Sequence, residues 1–78
     1  MPTIAIEGRF QFIVHTREKE FEPPHVHVRI GDEDECRIEL NGGQFMDQPP
    51  PGDARAIVQA YRRHADAIRQ KWDEIHGR

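Results

Sequence analysis

A chain of 78 residues with one cysteine, 36% hydrophobic residues and a net charge of -3 has room for one sheet and one helix, because so short a chain buries only about 60% of the surface its unfolded form exposes. That excludes a second domain, an internal disulfide and a cleft deep enough for a large prosthetic group, so no cofactor is expected. No apolar run nears the roughly 20 residues that cross a bilayer, and no charged segment followed by an apolar run marks a secretory leader, so a cytoplasmic protein with no membrane partner is expected.

Charge is unevenly distributed. Residues 1–52 carry five Lys/Arg against ten Asp/Glu, whereas residues 53–78 carry six against four. Nucleic-acid affinity comes largely from neutralising phosphates, so a nucleic acid could be reached only through a local basic strip or a partner. A small protein partner is the simpler expectation.

In chain order, Phe10, Phe12 and Val14 alternate with Gln11, Ile13 and His15 after Gly8, the pattern of a half-buried strand. The polar "TREKEFE" leaves the sheet, and Pro23 and Pro24, lacking an N–H, must precede the next strand. In "HVHVRI", His25, His27 and Arg29 share one face and Val26, Val28 and Ile30 the other. The turn cluster "GDED" leads into "ECRIEL", with Cys36, Ile38 and Leu40 on the apolar face. Two hairpin registers keep the faces matched: one sets Arg29 against Glu35 and His25 against Glu39, the other sets Arg29 against Arg37. Opposite charges across strands stabilise and like charges do not, which favours the first.

"NGG" at 41–43 signals another hairpin, so "QFM" is expected to add a short fourth strand. After the proline-rich "DQPPPGD", Ile57, Tyr61, Ala65, Ile68, Trp72 and Ile75 recur at steps of three or four, a stripe for packing on a sheet. Asp53 is the expected N-cap and Gly77 the end of the helix. The fold class is therefore α+β in a single domain, 1–78: a three- to four-stranded antiparallel meander, its strands within residues 10–47, with one long C-terminal helix at about 53–76 packed on one face.

The HxH pair is the sharpest chemical feature. Two histidines at i and i+2 on a strand stand about 7 Å apart along the backbone, near enough for both rings to turn toward one zinc ion. His15 or Glu39 would supply a third ligand, whereas Cys36 points to the core. The plainer reading keeps His25 and His27 as polar residues of an open sheet face, held by Glu39 and loop carbonyls. A third reading is acid–base work by His25 or His27 with Arg29 or Arg37 steadying a phosphate, as in metal-independent RNA cleavage.

The chain contains no serine, which excludes a serine nucleophile, and no P-loop, GxGxxG or HExxH pattern occurs. Tyr61 and Trp72 sit on the apolar stripe and read as core. Arg55, Arg62 and Arg69 line one edge of it, either as a solvated helix edge or as a surface for an acidic partner. His64, on the opposite edge, is placed to reach a sheet edge and donate a hydrogen bond. His76, near the helix end where positive charge is favoured, is assigned no role.

Together "MPTI", "EPPHVHVRIGDEDECRIEL", "NGGQF" and a helix with His64, Ile68 and Trp72 resemble the bacterial domain of unknown function 4160 family. The specific part is a PHxH core, matched by Pro24, His25 and His27. The connector "DQPPPGD" is richer in proline than the family pattern, which bears on the helix start alone. The resemblance implies no catalytic residue. It implies partnership with a second small protein encoded alongside, in a toxin–antitoxin-like pair. The joint expectation is a binding component that uses an open sheet face carrying His15, His25, His27 and Glu39, with His64 nearby. A histidine-dependent ribonuclease-like toxin and an HxH metal-binding domain are the alternatives.

Overall fold

The computed structural model describes residues 3–16 and 22–77. Four strands, β1 (Thr3–Glu7), β2 (Phe10–Ile13), β3 (His25–Ile30) and β4 (Glu33–Glu39), precede one helix, α1 (Ala54–His76). The strands pair antiparallel in the order β1-β2-β3-β4, so the α+β meander with a C-terminal helix is observed. Gly8 and Gly31 each open a two-residue connection between paired strands, with φ of 59° and 62°. A left-handed first residue lets so short a turn follow the strands' twist.

One sheet face and one helix stripe make the core. Phe12, Val26, Val28 and Ile38 from the sheet and Ile57 and Ile68 from the helix are fully buried, closed off by Tyr61 and Trp72. Each large side chain buried there contributes about 1.5–3 kcal/mol. The helix lies over β1 and β2.

β1 lies outside residues 10–47, where the strands are expected, because its pattern is broken by an irregularity between Thr3 and Ala5. Beyond it, Ile6 is 65% exposed, while Glu7 faces the helix and pairs with Arg63 and His64. The strand expected at 44–46 is reduced to a single bridge between Phe45 and Ile38. Asp47 turns to Arg37, and Pro49, Pro50 and Pro51 have no N–H with which to extend a ladder. Asp53 occupies the N-cap position, but its side chain makes no capping bond; it is engaged by the Arg9 guanidinium instead. Gly77 ends the helix as expected, its N–H bonded to the Asp73 carbonyl at 2.9 Å.

The β3–β4 register follows the favoured choice from His25↔Glu39 to Val28↔Cys36, then slips by one residue, so that Arg29 faces Asp34 and not Glu35. Glu35 is the extra residue of a β-bulge. Residues Asp34 and Glu33 are thereby shifted to the opposite face from the one that simple alternation assigns them.

Candidate functional site

Four of the five histidines gather with Trp72 where β2 ends and β3 begins. Ile13 pairs with His27 across the strands. His15, two residues on, falls on the same side, and its ring meets that of His27 edge-on with centroids 4.0 Å apart. His27 is 5.1 Å from His25, His25 is 5.5 Å from Trp72, and Trp72 is 3.9 Å from His76. His76 Nε2–H donates to the His15 carbonyl at 3.0 Å, which closes the circuit.

His25 departs from expectation. Read as part of an open face, it is 0% exposed and lies against Trp72. The backbone alternation holds, but His25 opens its strand, and the last turns of α1 overhang that end of the sheet. The ring fills the space beneath Trp72 and is pinned there by donating Nδ1–H to the Pro23 carbonyl at 2.8 Å. Ile13, on the same nominal face, is also buried at 3%. The sheet's second face is thus closed around Ile13 and His25 and open toward β4 and at Ile6 of β1. Glu39 faces His25 in the register.

On that open part, a pocket of about 330 Å³ is lined by His27, Asp34, Glu35, Cys36, Arg37 and Asp47. The Arg37 fork bonds both oxygens of Asp47, at 2.8 and 3.1 Å, and Glu22 at 2.8 Å. These bonds push the guanidinium's pKa further up and hold the Asp47 carboxyl below its usual range. Arg37 is therefore committed to two carboxylates and is not free to steady a phosphate; Arg29 donates to the Asp32 carbonyl at 3.2 Å. Cys36 is buried in the core, as expected, and burial, reinforced by Asp47 and Glu35, raises its thiol to about 11. It is unreactive at neutral pH.

A group of one-atom donors suited to a metal ion is formed by His15, His27 and Asp34. His25 and Glu39, the sequence-derived candidates beside His27, do not belong to it. Asp34 was hidden by the bulge; no periodic signal marks a one-residue slip, although the turn glycine at 31 with so short a loop hints at one. His76 was legible only as a helix-end histidine.

His64 does not approach the histidine pair. It sits at the other end of the sheet and, as expected, reaches an edge strand: its Nε2–H donates to Glu7 at 3.0 Å.

The arginine edge of α1 has its own relief. Phe45, Ala54, Arg55, Val58, Gln59 and Arg62 line a groove of about 400 Å³ with an apolar floor. Arg69 is tied to Asn41 at 3.0 Å and to Asp73 at 3.6 Å. Arg55 and Arg62 are exposed and, among the described residues, form no ion pair. Also among the described residues, no helix is long and apolar enough to cross a membrane.

No curated protein and no solved structure matches the chain. A family model described as Domain of unknown function (DUF4160) matches residues 9–73, from the start of β2 nearly to the end of α1. With the PHxH segment, the hairpin and the Trp72 helix all inside that span, the chain belongs to this family of domains.

Proposed function

We propose that the domain is the protein-binding component of a small two-protein, toxin–antitoxin-like module of the cytoplasm, and that it takes an acidic segment of its partner in the groove edged by Arg55 and Arg62. The observation that carries this reading is the difference among the arginines. Arg9, Arg37, Arg63 and Arg69 each pair with a carboxylate of the same chain, while Arg55 and Arg62, two helical turns apart, flank an apolar floor with their charge uncompensated among the described residues. An apolar anchor with acidic neighbours is the complement of such a groove, and charge matching of this kind sets register and association rate. The histidine-bearing face supports the reading less, because His25 is buried and Arg37 already engaged.

The ribonuclease-like alternative has weaker support for the same reasons. Its acid or base at His25 would be covered by Trp72, and its phosphate-holding Arg37 is neutralised by Glu22 and Asp47.

Co-expression with the protein encoded alongside tests the proposal. A complex is expected that weakens as salt rises and is lost in the double variant Arg55→Glu with Arg62→Glu, the helix content by circular dichroism being unchanged. A complex that survives both charge reversals would sink the proposal, as would cleavage of RNA by the isolated domain that is lost on His27→Ala.

A further inference from the structure

The circuit of histidines offers a second chemistry, separate from partner binding. We propose that His15, His27 and Asp34 form a site for a divalent transition-metal ion of the zinc class, with a fourth position open to the pocket beside Arg37. One donor atom from each of the three side chains lies within 4.8 Å of the other two. Tetrahedral zinc, with bonds of about 2.0–2.1 Å, sets its donor atoms about 3.3–3.4 Å apart. The closing movement is on the order of 1 Å, within the reach of an exposed aspartate and two half-buried rings.

Three features prepare the site. His27 and Asp34 lie on the paired strands β3 and β4 and His15 lies two residues past the end of β2, so the loop-closure cost of assembling them is already met by the fold. The backbone at His15 is held in place, its carbonyl receiving the His76 N–H. The bulge turns Asp34 onto the face of His27, supplying the third donor that plain alternation would have sent elsewhere.

The donor set selects the ion. Two imidazoles and one carboxylate suit zinc and its neighbours, whereas calcium and magnesium want oxygen throughout. Four successive acids, from Asp32 to Glu35, raise the local cation concentration. His27 and Asp34 both line the 330 Å³ pocket, which leaves space for water or a further ligand. The HxH pair itself is a poorer site, since His25 is buried and turned to Pro23.

Calorimetric titration of the full chain with zinc chloride, and with cobalt(II) read by its visible absorption, is expected to give one ion per chain. Asp34→Asn and His15→Ala are each expected to weaken that binding by more than about tenfold, since losing even an outer-shell partner costs about 10–100-fold. Glu39→Gln and His64→Ala should bind as the parent does. The proposal is overturned if the parent protein takes up no zinc below millimolar concentration, if Asp34→Asn binds equally well, or if Glu39→Gln loses the ion, which would put it on the His25 and His27 pair. Asp34 is exposed, so its variant decides the question even where His15→Ala fails to fold.

Discussion

The Glu7 carboxylate on β1 accepts the Nε2–H of His64 at 3.0 Å, while the neighbouring Arg63 guanidinium engages both carboxylate oxygens. An edge strand is thereby fastened to the middle of the helix. The Arg63 hydrogen bonds, against an opposing effect of partial burial and with help from His64, hold the Glu7 carboxyl at about 2 instead of 4.5. A carboxyl whose folded pKa is depressed contributes stability above its unfolded value and loses it as pH falls through the folded one. Thermal unfolding of the parent chain should therefore weaken between pH 4.5 and 2 more steeply than that of Glu7→Gln, and the two curves should converge at the acid end. Parallel curves across that window would contradict the arrangement.

Trp72 is 5% exposed between His25 and His76, and among the described residues its Nε1 has no hydrogen-bond partner. Trp72→Ala should cost about 3–5 kcal/mol, a large share of the roughly 4–12 kcal/mol that a domain of this length has in total. Trp72→Phe keeps most of the apolar area and forfeits no hydrogen bond, so its cost should be much smaller. Urea denaturation followed by circular dichroism separates the two; equal losses would mean that the indole N–H matters.

Gly31 holds φ at 62° with open space where a Cβ would stand. Gly31→Ala therefore meets no clash with its surroundings and reports backbone strain alone, about 1–2 kcal/mol. The measurement is the denaturation midpoint. A loss much above that range would indicate that the bulge next to the turn had been disturbed as well.

Arg37 joins β4 to Glu22 and to Asp47 in the connector before the helix. Part-exposed pairs of this kind contribute little singly, and Arg37→Ala should cost about 1 kcal/mol. Arg37→Lys keeps the charge but cannot reproduce the two-pronged bond to Asp47 and should recover only part of it. Denaturant midpoints at low and high salt test this, since the deficit should shrink as salt screens the carboxylates.

Much of the architecture was legible because two periods were clean. Val26 and Val28, like Cys36 and Ile38, step by two, while Ile57, Tyr61, Ala65, Ile68 and Trp72 step by three or four, and these residues meet in or against the core. β1 is hard to read because an irregularity between Thr3 and Ala5 breaks its alternation, so that Ile4 and Ala5 both pack against the core while Ile6 is exposed. His25 was misread because face alternation describes a strand's middle; at its first residue the overhanging end of α1 decides what is covered. The proximity of His15 to His27 followed from strand adjacency, whereas the arrival of Asp34 depended on a slip in pairing that leaves no mark in hydrophobicity.

That slip makes the surface around His27 depend on hairpin length more than on side-chain identity. With Glu35 as the supernumerary residue, deleting Asp32 or Glu33 would restore strict two-residue phasing, set Glu35 opposite Arg29 and swing Asp34 to the other side of the sheet, even with every remaining amino acid unchanged. Indels in the β3–β4 hairpin are accordingly changes that would remodel this face even where they leave His27 and Asp34 themselves in the chain.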